Sequence, residues 1–366
     1  MITQKQPKDD KTISDELGGY IKNQTAKAKK VKAKKKSKIL QIVLRTLLCL
    51  FTLIVVLVSG IFGGVAIINY GPSIHARDLF VMSALETSAM KFLATSFFSA
   101  EQIKEIKQNN SVVPTTDVTD VNLVVVDDIK KNPEFDKSKI EVVDVKGATY
   151  KGKMMIINDP SRVYVGTSGT YGEDAKGKTV MEMLKKDGCI AGTNGGGFVD
   201  KGGTGTGGIP IGIVIANSQL KYGDLSKTYE LIGFDKNNKL VVGNMSAQSA
   251  LDKGIRDAVS FGPLLIVNGN SAKVSGTAGG VNPRTAIGQR ADGTVLLLVV
   301  DGRQANSLGA TYSDLIDIFV EFGAVNAGNL DGGSSSHLIY KNEIISTCSS
   351  LYGPRYVPTA ILVKGE

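Results

Sequence analysis

Apolar and polar positions along this chain follow three rhythms. From Thr46 to Ile68, 23 consecutive residues carry no charged side chain. As a helix at ~1.5 Å per residue this stretch reaches roughly 34 Å, enough to cross a hydrocarbon core of about 30 Å. Over 72–110, Leu79, Met82, Leu85, Ala89, Phe92 and Leu93 recur at helical spacing, which predicts an amphipathic helix close to the membrane surface. From about Lys139 onward, short apolar runs alternate with glycine. They predict strands at Glu141–Val145, Met154–Asn158, Val163–Gly166, Ile211–Ala216, Val259–Val267, Thr285–Gln289 and Val295–Val300. Ala291-Asp292-Gly293 reads as the hairpin turn between the last two. Between these regimes, 111–138 reads as a linker holding Pro114, Pro133 and one strand at Asn122–Val126. Helices are predicted at Thr179–Lys186 and Tyr312–Phe322. The second has Thr311 as N-cap with Asp314 three residues on, and Leu315, Ile318, Phe319 and Phe322 form its apolar face. Many strands and few helices predict an α+β fold: largely antiparallel sheets packed with a few helices, preceded by one transmembrane helix.

Charge orients that helix. Residues 1–45 hold 13 Lys or Arg against four Asp or Glu, a net of +9 in a chain of +8, so everything after the apolar stretch sums to −1. Nine lysines lie between Lys22 and Lys38. The positive-inside rule puts this side in the cytoplasm and the rest of the chain outside. The resulting organisation is a basic, disordered tail over 1–45, a transmembrane helix over 46–68, a membrane-proximal helix and linker over 69–138, and a globular domain over 139–366. A buried core helix rarely runs so long without a polar face. A signal peptide has a shorter apolar region, about 7–15 residues, so a retained anchor is the expectation. The basic run has no interleaved aromatics and ends at the membrane. Anionic lipid, rather than nucleic acid, is the expected partner.

Three cysteines bound the redox chemistry. Cys49 lies in the apolar stretch, and Cys189 with Cys348 could pair as a disulfide outside the cell. Zinc would need closer spacing and more ligands. The globular part holds a single histidine, His337, which argues against a mechanism built on a histidine pair.

Chemistry is expected where glycine and polar residues interrupt apolar strands. Four loops qualify: Thr193-Asn194-Gly195-Gly196-Gly197-Phe198, Gly280-Val281-Asn282-Pro283-Arg284-Thr285, Asp301-Gly302-Arg303, and Asn329-Leu330-Asp331-Gly332-Gly333-Ser334. Glycines let backbone N–H groups approach an anion, and arginine can clamp a phosphate through two parallel hydrogen bonds. An ordinary turn accounts for any one loop, but four with a charged or amide group beside them argue for a site. Gly203-Thr204-Gly205-Thr206-Gly207-Gly208 fits a dinucleotide pattern. Ile209–Val214 follows as a strand where that pattern needs a helix, so it reads as a surface loop.

The runs TNGGGF, GGIPIGIVIAN, SFGPLLIVNG, NPRTAIG, VVDGR, GATYSDL and GNLDGGSSS, together with ARDLF near the membrane, resemble the phosphodiester glycosidase family. That family includes the lysosomal uncovering enzyme and bacterial exopolysaccharide biosynthesis proteins. The resemblance covers roughly residues 140–365. It implies hydrolysis of the bond between a sugar's anomeric carbon and a phosphodiester phosphate, which the anchor's orientation would place at the cell surface. It also implies a catalytic set of Arg284, Asp301 and Asp331. Asn194, Gly195, Gly196, Gly332 and Gly333 also fall on its motif positions, and with Asn282, Thr285, Arg303 and Ser334 from the same loops they are the expected substrate-binding set. His337 stands where a smaller residue such as Thr is expected. The oxygen donors are compatible with a hard cation such as Ca²⁺, though no cofactor is required. Two other functions stay open: a non-catalytic exopolysaccharide assembly or glycan-binding protein, and a cell-wall glycopolymer phosphotransferase.

Overall fold

The structure, a computed structural model, describes residues 10–87, 90–126, 136–200, 205–350 and 352–365. The chain divides into two units, 1–67 and 68–366, so the stretch 69–138 falls in the same unit as the globular domain. Helix α1 (Asp10–Tyr70) contains the whole apolar stretch. Among the described residues it holds the one helical segment long and apolar enough to cross a membrane. The Lys-rich residues from Asp10 onward, expected to be disordered, are helical. Between Lys22 and Lys38, nine Lys and three Ala among 17 residues are good helix formers. No Gly or Pro interrupts 21–59, so the helix propagates from the apolar stretch without a new nucleus.

The periodic stretch 72–110 forms three helices rather than one: α2 (Ile74–Leu85), α3 (Phe92–Thr95) and α4 (Ala100–Asn109). Serine caps start the first and the last of them. Ser73 Oγ accepts from Ala76 N–H, and Ser99 with Gln102 makes a capping box at the start of α4. Ala89, one of the periodic positions, lies outside the described residues. Asn122–Val126 is not a strand. A carboxylate oxygen of Asp120 accepts from Asn122 N–H at 2.9 Å and winds Val121–Leu123 into a 3₁₀ turn. Linker residues 127–135, with Pro133, and the loop residues 201–204 also lie outside the described set. The earlier linker residues are sewn to the domain: Val113 N–H donates to Lys273 O and Thr119 N–H to Val242 O.

The domain is α+β, with three antiparallel sheets. The largest runs β1 (Ile140–Lys146), β2 (Lys151–Ile157), β13 (Val295–Val300), β12 (Arg284–Arg290), β14 (Ala324–Leu330), β10 (Leu264–Val267), β11 (Asn270–Ser271). The second runs β16 (Glu343–Ile344), β15 (Leu338–Tyr340), β4 (Cys189–Asn194), β17 (Thr359–Lys364), β3 (Val163–Thr167). The third runs β6 (Gln219–Tyr222), β5 (Val214–Ala216), β9 (Ile255–Ser260), β7 (Thr228–Asp235), β8 (Leu240–Ser246). The hairpin turn at 291–293 joins β12 to β13 as expected. The run Val259–Val267 splits into β9 and β10 at Phe261-Gly262-Pro263, where proline has no N–H for the ladder. Strand β5 starts three residues later than expected, because Gly212 takes φ +77° and Ile213 N–H donates to Ser260 Oγ.

The continuous apolar run of β13 reflects burial on both faces. Val295, Leu297 and Val299 join Ile232, Phe234, Val259, Ile361 and other residues of the two smaller sheets in one core. Leu296, Leu298 and Val300 face the other way, onto Leu315, Ile318 and Phe319 of α7 (Tyr312–Glu321). Thr311 and Asp314 cap α7 reciprocally, as the sequence predicts. Helix α5 (Val180–Asp187) has the same device in Thr179 and Glu182, and α6 (Ala247–Asp252) is a short turn before β9. The cysteine pairing is not formed: Cys189 and Cys348 are both free, and Cys189 Sγ lies 3.1 Å from Tyr164 OH.

Candidate active site

Strand register brings the sequence-predicted residues to one end of the large sheet. Arg284, first in β12, pairs with Val300 on one side, and Thr285 pairs with Leu330 on the other. Asp301 and Asp331 are each the next residue along. The two aspartates therefore flank the 283–284 backbone from neighbouring strands, about 5 Å away on either side.

One pole centres on Asp331. Its backbone is held by the second sheet: Asn194 Nδ2 donates to Asp331 O at 2.5 Å, and Asp331 N–H donates to Gly195 O at 3.1 Å. Asn194 is itself fixed by Thr285, whose hydroxyl donates to Asn194 Oδ1 at 2.9 Å. Asp331 Oδ2 is closed off from solvent with no partner among the described residues. Burial pushes this carboxyl up to about 7, against Ser335, Arg355 and the Gly332 N–H, which favour its charged form. Orphaned buried atoms concentrate here: Asn329 Oδ1, Ser336 Oγ and His337 Nε2 share the condition. Such atoms are rare in folded proteins, and a catalytic role is one reason for them. His337 is wholly buried, with Nδ1 2.8 Å from Ser335 O, and burial holds it below the usual histidine range.

The other pole is cationic. Arg303 adopts φ +58° and donates through Nη2 to Thr87 Oγ1 at 2.8 Å and Asn282 Oδ1 at 3.2 Å. Its guanidinium rests on Gly333, where an added Cβ would come within 3.1 Å of Nη2. Arg284 is buried and stacked on the Tyr312 ring at 4.3 Å. Its Nε donates to Ala310 O, and its Nη2 to the carbonyls of Gly279 and Gly280. Nη2 thus holds the preceding loop and Nε the Ala310 carbonyl, which leaves Nη1 outward, 3.9 Å from Glu86 Oε2. Burial and the neighbouring Arg284 charge depress the Arg303 pKa, and Glu86 opposes them.

Several residues are engaged differently from their sequence reading. Both Asp301 carboxylate oxygens accept from Thr347, one from its N–H at 2.8 Å and one from its hydroxyl at 2.9 Å. The Gly195, Gly196 and Gly197 N–H groups donate to Thr359 O, Thr359 Oγ1 and Ser260 O, so they face protein rather than an anion. These glycines are needed for close packing: a Cβ on Gly195 would meet Thr359 and one on Gly197 would meet Phe261. Ser334 Oγ accepts from Arg355 Nη1 at 3.3 Å. Arg355 is also forked onto Asp200 at 2.7 and 3.1 Å and lies over the Phe198 ring. Arg355, Asp200, Glu86 and Thr87 were not singled out in sequence, because their partners are distant along the chain. Ca²⁺ needs six to eight oxygens, several from carboxylates. No group of three or more His, Cys, Asp or Glu suited to a metal occurs among the described residues, and the Asp301 oxygens are taken.

The glycine-flanked loops fall, in order, within a single matched region. Residues 187–364 match the phosphodiester glycosidase family model. Among curated proteins, the chain is 30% identical over 206 residues to the SPbeta prophage-derived uncharacterized protein YomE of Bacillus subtilis, covering 52% of this chain and 29% of that one. It is 26% identical over 186 residues to the N-acetylglucosamine-1-phosphodiester α-N-acetylglucosaminidase of Bos taurus, covering 46% and 34%. The chain thus spans about a third of the length of these relatives. In fold it is similar to the zebrafish N-acetylglucosamine-1-phosphodiester α-N-acetylglucosaminidase catalytic domain auto-inhibited by pro-peptide. The TM-score is 0.53 at 23% identity, covering 64% of this chain and 86% of that one. The phosphodiester glycosidase match includes every sequence-predicted site residue. It does not include Glu86 or Thr87, which reach the cationic pole from the end of α2.

Proposed function

We propose that this chain is a membrane-anchored hydrolase that cleaves the anomeric C–O bond of a sugar-1-phosphodiester at the cell surface. One observation carries the reading. Asp331 is a carboxyl with a buried, unpartnered oxygen and a pKa near 7, two residues from the glycine on which Arg303 rests. A glycosidase needs a carboxyl still protonated near neutrality to assist the departing oxygen. In this mechanism Asp331 gives its proton to the phosphate oxygen as the anomeric C–O bond breaks. A water oxygen forms the new bond to the anomeric carbon, and the proton that water loses restores the carboxyl. The products are a free sugar and a phosphomonoester. Arg303, Asn282, Gly332, Gly333 and Ser334 bind the phosphate, and charge developing there is met by the guanidinium. Asn194 and Thr285 hold Asp331 in place, Arg284 holds the 279–280 loop, and Asp301 fixes the rim through Thr347. Helix α1 spans the membrane with its lysines against the inner leaflet, and a surface glycan phosphodiester is the substrate.

A glycan-binding protein without turnover is the second reading, because Arg284 and Asp301 are largely satisfied within the protein. The full chain, incubated with a panel of sugar-1-phosphodiesters, should release free sugar. Asp331→Asn should lower kcat by at least ~100-fold with the fold retained. Asp301→Asn should lower it by less than about tenfold while reducing thermal stability. No free sugar from any diester refutes the hydrolase, and a sugar-phosphate joined to an acceptor identifies a transferase instead.

A further inference from the structure

The cationic pole has a carboxylate that belongs to neither the sequence-predicted site nor the matched family domain. Glu86 immediately follows α2, and the end of α2 is pinned to the loop that carries Asn282. Ser83 Oγ accepts from Val281 N–H at 2.9 Å, and a Cβ on Gly280 would strike the Ser83 backbone. Further back, Asn110 Oδ1 accepts from Thr277 N–H and hydroxyl, and Asn110 Nδ2 donates to Asp78. These contacts fix where Glu86 and Thr87 arrive. Thr87 accepts from Arg303 and is buried, whereas the Glu86 side chain is 40% exposed and stands 3.9 Å from Arg284 Nη1. The pole therefore combines two guanidinium groups and one solvent-facing carboxylate.

We propose that Glu86 makes this pole selective for phosphodiesters over phosphomonoesters by reducing its charge from two positive units to one. The inference rests on the hydrolytic reading of the site and names the charge state of its substrate. A phosphodiester carries one negative charge, whereas a monoester with a second pKa of about 6 carries nearly two above neutrality. Two unopposed arginines would attract the dianion more strongly, since attraction scales with the product of charges. Glu86 cancels one unit and repels the second charge of a monoester. The product left after C–O cleavage is itself a phosphomonoester, so the same carboxylate favours its release.

The test reads binding and does not depend on turnover. The full chain in detergent at pH 8 is titrated with dimethyl phosphate and with methyl phosphate, and affinities are taken from calorimetry. The parent should bind dimethyl phosphate at least as well as methyl phosphate. Glu86→Gln should tighten methyl phosphate about tenfold and dimethyl phosphate less than about threefold, the scale expected of one charge at a half-exposed site. Glu86→Asp should retain the parental preference, and Glu86→Ala should behave as the glutamine variant does, guarding against a folding defect in either. Equal tightening of both ligands in Glu86→Gln overturns the proposal, because it makes Glu86 a plug over the arginines. Unchanged ratios, or no binding of either ligand to any variant, overturn it as well. A chain that shows the charge preference yet releases no sugar refutes the hydrolase and leaves the selectivity standing.

Discussion

Asp331 joins chemistry to stability through its proton. Its folded-state pKa is about 7, above the ordinary carboxylate value of about 3.9 that it regains on unfolding. The folded protein therefore binds this proton more tightly than the unfolded chain does. The group's contribution to stability is complete below about pH 4 and is lost as pH rises through 7. Asp331→Asn carries no such titration. The melting temperature of the variant relative to the parent should thus climb steadily from pH 4 to pH 8, and a flat difference across that range would rule out the raised pKa. Asn194, Thr285, Asp331 and Arg303 were legible in sequence because glycine and apolar strands frame each of them. The role of the 195–197 glycines was not legible, since nothing in the sequence shows that their N–H groups meet Thr359 and Ser260. Arg355 and Asp200, 155 positions apart, gave no local signal of their ion pair.

Among elements, β13 and α7 were read closely because their patterns are strong and local. Val295–Val300 is wholly apolar, and α7 carries a reciprocal cap at Thr311 and Asp314. The stretch 72–110 was misread because its helical period continues across the ends of α2 and α3, and only the Ser99 cap marks a restart in the sequence. Strand β7 and its partner β8 were missed, since Glu230 and Asn244 interrupt their apolar residues. The joint between α7 and the large sheet depends on one ring. Phe319 is fully buried against Gly288, where an added Cβ would lie 2.7 Å from the ring. Phe319→Ala should cost roughly 3–5 kcal/mol and lower Tm by about 6–15 °C in a thermal melt. Because α7 begins at the Tyr312 ring that carries Arg284, sugar release should also fall near the melting range and recover on cooling.

For the molecule as a whole, the charge asymmetry was plain in the sequence, while the fusion of tail and anchor into one helix was not. Propensity over the lysines was outweighed there by the expectation that charged segments stay disordered. The orientation proposed for α1 makes a direct prediction. Protease added to intact cells should remove the domain and spare an N-terminal tag. Loss of the tag under that treatment would reverse the topology, and recovery of a secreted form starting near residue 67 would mean that a leader is cleaved.

The order of strands in the second sheet bears on how the chain is made. Among the described residues, strand β4 pairs only with β15 and β17, and β3 only with β17, so both early strands wait for partners late in the sequence. Gly196 and Thr359, which bond across that seam, are 163 positions apart. At synthesis rates of about 5–20 residues per second, the gap is roughly 8–33 s. Throughout that interval two apolar strands have open edges, the condition in which nascent chains stick to one another. Production of this protein should therefore respond more to holdase chaperones, and to slowed translation of its last third, than its final stability would imply.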